Sequence, residues 1–122
     1  MKPDRLLQLA QELEWLGCDA GFYAQKHDAR SAENLLERQQ ELLATADKIE
    51  RELKGAVRFN LTSLVGVEFP LETALDSVTD LLAGVEDIRQ SAIDAVEEVP
   101  PKVRQFTRRV ENYVNAPVPL AA

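Results

Sequence analysis

Apolar residues recur along most of this chain at alternating steps of three and four, the period that gathers a stripe on one side of a helix. Leu6, Leu9, Leu13, Leu16, Ala20, Tyr23 and His27 follow at steps of 3, 4, 3, 4, 3 and 4. A first helix is therefore expected from Pro3 to about His27. Pro3 suits a first turn because its missing N–H has no helical partner there, and Asp4 adds a negative charge where the helix dipole favours one. Gly17 and Gly21 each cost about 1 kcal/mol relative to Ala in a helix interior. They either admit a neighbouring helix at close range or mark a break, and the continuous seam favours a single helix.

Ala32, Leu35, Gln39, Leu42, Ala46, Ile49, Leu53 and Ala56 repeat the spacing, with Asp28 or Ser31 as the cap in front and Lys54-Gly55 as the stop. So few residues separate the two seams that residues 3–54 should form an antiparallel helical hairpin. The pattern then changes. Gly55 to Pro70 carries only Arg58 and Glu68 as charges. Its apolar residues alternate at Val57, Phe59 and Leu61, then at Val65, Val67 and Phe69. A small β-hairpin about Thr62-Ser63 and an extended arm both fit. Helical spacing through Val57, Leu61 and Leu64 is also available, so periodicity leaves the conformation open.

Helical spacing resumes at Leu71, Leu75, Val78, Leu82, Val85, Ala92, Val96 and Val99, interrupted by Arg89 and widened by Ala74, Leu81 and Ile88. Pro100-Pro101 should end this third helix and open a fourth, through about Asn115, on Val103, Phe106, Val110 and Tyr113. The helical pair spans 71–115, and residues 116–122 read as an extended tail. The expected fold is all-α: one domain over residues 1–122, a bundle of three long helices and one shorter C-terminal helix.

Composition narrows the function. Apolar residues make up 45% of the chain, which suits a folded globule. No run approaches the roughly 20 apolar residues of a membrane span, and Met1-Lys2-Pro3-Asp4 lacks the apolar core of a signal peptide. A cytoplasmic or virion-associated protein, not exported by a signal peptide and with no membrane contact, is the expectation. The lone Cys18 forms neither an internal disulfide nor a metal cluster. A net charge of −7 argues against direct nucleic-acid binding, which needs a basic surface.

The charge is unevenly spread. Leu71 to Glu98 holds eight carboxylates against Arg89, whereas Lys102, Arg104, Arg108 and Arg109 follow. Glu72, Asp76, Asp80, Asp87 and Asp94 could form an acidic face that imitates nucleic-acid phosphates in a basic groove; a solvated face is the simpler account. Catalytic chemistry has little to stand on. Asp19, Tyr23 and His27 recur every four residues and could relay protons, but no oxyanion donors or cofactor ligands accompany them. Phosphate-loop, nucleophile-elbow and zinc spacings are missing from the sequence, so no cofactor, metal or enzymatic activity is expected. Trp15-Leu16-Gly17 matches the Trp-x-Gly of WXG-type helical hairpins. There the triplet occupies a turn between helices; here it lies inside the first seam, and it is read as a chance match.

The sequence thus points to a non-catalytic interaction or assembly protein that works through amphipathic helices, with a protein partner, self-association, or both. Gln39, a polar residue at a seam position, bears on register rather than chemistry. The contact is placed on Val57, Phe59, Leu61, Val65, Val67 and Phe69. The alternative is an acidic inhibitor of a nucleic-acid enzyme.

Overall fold

The computed structural model describes the backbone of residues 3–63 and 70–115 and the side chains of residues 5–55 and 78–115. Four helices pack into a bundle: α1 (Pro3–Ala24), α2 (Ala29–Ser63), α3 (Pro70–Asp94) and α4 (Val99–Asn115), with a 3-10 turn at Val96–Glu98. Among the described residues there is no strand. Each helix packs on two neighbours, in the cyclic order α1, α2, α3, α4 and back to α1.

The seams are the core. Leu6, Leu9, Leu13, Leu16 and Ala20 of α1 meet Leu42, Ala46, Ile49 and Leu53 of α2, all buried. Val78, Leu81, Val85, Ile88 and Ala92 of α3 close one side, and Val99, Val103, Phe106 and Val110 of α4 close the other. Tyr23 is only half-buried.

Three boundaries differ from the sequence expectation. First, α1 stops at Ala24, and His27 is exposed in the connection to α2. The N–H groups of Gln25 and Lys26 reach back only three residues, to the carbonyls of Phe22 and Tyr23, which tightens the last turn. Asp28 then caps α2. Its carboxylate accepts the Ser31 N–H at 2.7 Å and the Ser31 hydroxyl at 3.1 Å, so Ser31 is the third helical residue and not the cap.

Second, α2 does not stop at Lys54-Gly55 but runs to Ser63. Glycine ends a helix when it turns left-handed, and Gly55 stays helical within α2. Val57, Phe59 and Leu61 therefore belong to a helix, and neither the hairpin nor the extended arm begins at Gly55. Val65, Val67 and Phe69 lie outside the described residues, as does the tail expected at 116–122.

Third, α3 ends at Asp94, five residues before Val99. Pro100 and Pro101 cannot donate to the carbonyls of Val96 and Glu97 as a continuing α-helix would require. The chain breaks at Ala95 (φ −152°, ψ 66°) and tightens into the 3-10 turn. Both prolines then sit in the first turn of α4, where no N–H is needed.

The two glycines of α1 mark a close approach. A Cβ built on Gly17 would lie 2.8 Å from both methyl carbons of Val103 and 2.9 Å from Val99 Cγ1. One on Gly21 would lie 2.5 Å from Pro100 Cγ. The backbone of α1 and the first turns of α4 thus pack at a distance only glycine permits.

Candidate interaction surfaces

Polar side chains that interrupt the seams tie helices together. Gln39 donates from Nε2 to the Ala92 carbonyl at 2.9 Å, in the last turn of α3 where carbonyls run out of helical donors. Arg89, which breaks the apolar row of α3, reaches Asp47 and Glu50 of α2 at 2.8 Å each and also bonds Glu86 on its own helix. Burial opposes the Arg89 charge, yet the bonds to Glu50, Glu86 and Asp47 lift its pKa above the usual arginine value. Glu50 is held below the usual carboxylate range, first by Lys54 and then by Arg89.

Arg38 links α2 to α1. Its Nε donates to Asp19 at 2.7 Å and its Nη1 to Glu41 at 3.0 Å, and the guanidinium lies 5.2 Å from the Trp15 ring centroid. The proton-relay line is thereby dispersed: Asp19 serves Arg38, Tyr23 packs edge-on to Phe22, and His27 is outside the helix.

The acidic row divides as well. Asp80, Asp87 and Asp94 are exposed on α3 at seven-residue steps, about 10.5 Å of helical rise apart. Lys102 of α4 bonds Asp87 at 3.0 Å and Ser91 Oγ at 2.7 Å, and Gln90 bonds Asp94. Glu72 and Asp76 lie in the first turns of α3; their side chains are not among those described. Arg104, Arg108 and Arg109 are exposed.

Cross-helix pairs fix how far each helix reaches. In the antiparallel α1–α2 pair, Asp19 lies beside Arg38, so Pro3 comes level with about Lys54. From there α2 continues nine residues to Ser63, about 14 Å. Phe106 packs on Gly84, so Asn115 at the end of α4 comes level with about Leu75 of α3. The last two turns of α2 and the first turn of α3 therefore reach past the ends of α1 and α4. Val57, Phe59 and Leu61 are on this overhang.

Among the described side chains, four large apolar ones are exposed: Trp15 (58%), Phe22 (51%), Leu36 (58%) and Ile93 (61%). Trp15 and Phe22 stand on the outer side of α1, and Lys26 Nζ lies 4.4 Å from the Phe22 ring centroid. The expected contact residues did not include them. The sequence signal was there: Trp15 and Phe22 stand seven residues apart, on the side of α1 away from Leu6, Leu9, Leu13 and Leu16.

Among the described residues no helix is long and apolar enough to cross a membrane, and no group of His, Cys, Asp or Glu side chains could hold a metal ion. Comparison with protein-family models, with curated proteins and with solved structures finds no match.

Proposed function

We propose that this chain is a non-catalytic interaction or assembly protein whose helices bind a protein partner, a second copy of itself, or both. The observation that carries the reading is the mismatch of helix lengths. At 35 residues α2 is about 52 Å long, against about 26 Å for the 17 residues of α4. The four-helix core stops while α2 and α3 continue, and the sequence places Val57, Phe59, Leu61, Val65, Val67 and Phe69 on and beside that overhang. A pair of helices without its two companions leaves apolar positions for a partner to cover. Light scattering coupled to size-exclusion chromatography, with a pull-down from the native host, tests this. Replacing Phe59 and Val57 by Asp should abolish capture or assembly while leaving the melting of the bundle intact. Retention of both would remove the overhang from the reading.

A second reading, an acidic protein that occupies the basic groove of a nucleic-acid enzyme, draws on the exposure of Asp80, Asp87 and Asp94 in one row. The bond from Lys102 to Asp87 weakens it by neutralising the middle of the row. That reading requires a salt-sensitive complex lost when Asp76, Asp80 and Asp87 become Asn. An apolar interface tolerates those changes.

A further inference from the structure

Two of the exposed apolar side chains belong to one groove, although they lie on different helices. The bond from Gln39 Nε2 to the Ala92 carbonyl sets the level of α2 against α3. Leu36 precedes Gln39 by about one turn, and Ile93 follows Ala92 directly. Each is turned from its core row toward the other helix: Leu36 shares the flank of α2 that carries Asp47, and Ile93 the flank of α3 that carries Arg89, the pair joined at 2.8 Å farther along. Leu43, half-buried, continues the α2 side about two turns after Leu36. The groove between α2 and α3 therefore has an apolar floor.

The charges around it are one-sided. Glu33 and Glu37 stand beside Leu36 on α2, Asp94 follows Ile93 on α3, and Glu97 is in the 3-10 turn just beyond; all four are exposed. None forms an ion pair among the described residues. The neighbouring cations are engaged elsewhere: Arg38 with Asp19 and Glu41, Arg89 with Asp47, Glu50 and Glu86, and Lys102 with Asp87. Among the described residues, Arg30 is the one exposed cation of α2 within about two turns of Leu36, which leaves a surplus of carboxylates.

We propose that this groove docks an amphipathic helix of a protein partner whose apolar face is flanked by Lys or Arg on both sides; the inference rests on the protein-partner half of the function proposed above. A helix laid along two others seats apolar side chains at steps of three and four on the floor, and its flanking residues then overlie the acidic banks. The same banks repel an acidic helix, a nucleic acid or an anionic membrane. A second copy of the chain offers exposed cations at Arg104, Arg108 and Arg109, but the apolar residues of that helix, Val103, Phe106 and Val110, are buried in its own core. Its exposed anchors, Trp15 and Phe22, lie among Glu12, Glu14 and Asp19. A second copy thus brings charge without an anchor, or an anchor with the wrong charge.

The test uses the full chain and a fluorescein-labelled synthetic helix of about five turns, with Leu at the apolar steps and Lys on both flanks, and a version with Glu in place of Lys as control. Fluorescence anisotropy at about 0.15 M salt should show saturable binding of the Lys helix and none of the Glu helix. Leu36→Ser and Ile93→Ser should each weaken binding at least about tenfold. Glu33→Gln combined with Glu37→Gln should weaken it about two- to tenfold. These positions are exposed, so thermal melts should be unchanged. Phe59→Asp on the overhang and Trp15→Ser on α1 should leave binding as it was.

Absence of saturable binding overturns the inference. So does binding that the charge changes weaken while Leu36→Ser and Ile93→Ser leave it intact, since a diffuse acidic field then suffices. Binding lost with Phe59→Asp instead overturns this groove and leaves the overhang of the proposed function standing. Self-association of the chain, seen by light scattering and abolished by Leu36→Ser or Ile93→Ser, makes a second copy the occupant and overturns the assignment to another protein.

Discussion

Gly17 and Gly21 set helix propensity against packing, and the distances decide which prevails. Alanine at either position gains about 1 kcal/mol of intrinsic helix stability. The new methyl at residue 17 would press on Val103 and Val99, whose branched side chains have one favoured rotamer in a helix, and at residue 21 on the rigid ring of Pro100. Overpacking of this kind costs about 1–3 kcal/mol. Gly17→Ala and Gly21→Ala should therefore lower the urea midpoint. Gly55 is the internal control: a Cβ there meets nothing within 4 Å, so Gly55→Ala should stabilise by about 0.5–1 kcal/mol. If all three variants were stabilised, the close approach of α1 and α4 would be wrong. The sequence offered both meanings of paired glycines, close approach and break. What separates them is the identity of the residues opposite, supplied by α4 some 80 positions later, and no local pattern contains that.

Among the elements, the start of α2 and the end of α3 are each held by one polar side chain. The backbone N–H of Ser31, then its hydroxyl, holds the Asp28 carboxyl below the usual aspartate range. A depressed folded-state pKa means the cap contributes fully above the unfolded value, about 3.9, and is lost as the pH falls through the lower folded value. Asp28→Ala should thus melt below the natural chain at pH 7, and the gap between the two melting curves should narrow as the pH falls below about 3.9. A gap that did not narrow there would show that Asp28 acts through something other than its charge. At the other end, Gln39→Ala should lose about 0.5–1.5 kcal/mol, the ordinary value of one hydrogen bond, with amide exchange speeding up in the last turn of α3. Unchanged exchange there would remove Gln39 from the support of that turn. Helix existence was legible throughout, because buried stripes impose a period that survives single polar interruptions such as Gln39 and Arg89. Helix ends were less legible. Lys54-Gly55 carries a stop signal that the continuing helix overrides, and Pro100-Pro101 acts backwards through missing donors, ending α3 at Asp94 rather than beside the prolines.

For the molecule as a whole, α4 decides whether the other three helices have an interior. It is the shortest helix, yet it packs on both α1 and α3 and supplies Val99, Val103, Phe106 and Val110 to the core. Thr107 adds a buried hydroxyl 3.3 Å from the Ala10 carbonyl and 3.0 Å from that of Val103. Without α4, Gly17, Gly21 and the inner leucines of α1 would face water along the whole length of that contact. Each large buried side chain removed from a core costs about 2–5 kcal/mol, against a total stability of about 5–15 kcal/mol for a domain. Four such losses, about 8–20 kcal/mol together, are as large as the total itself. A chain ended after Glu98 should therefore keep some helical circular dichroism, bind a hydrophobic dye such as ANS and melt without a cooperative transition. A synthetic peptide of residues 99–115, added in trans, should restore the transition, and the same peptide with Phe106→Ala should do so at least about tenfold less effectively, since that truncation removes 3–5 kcal/mol of packing. Cooperative melting of the shortened chain on its own would mean that the first three helices form a self-sufficient core. In that case α4 would be an accessory, and the mismatch of helix lengths would lose its force as a reason for the overhang to seek a partner.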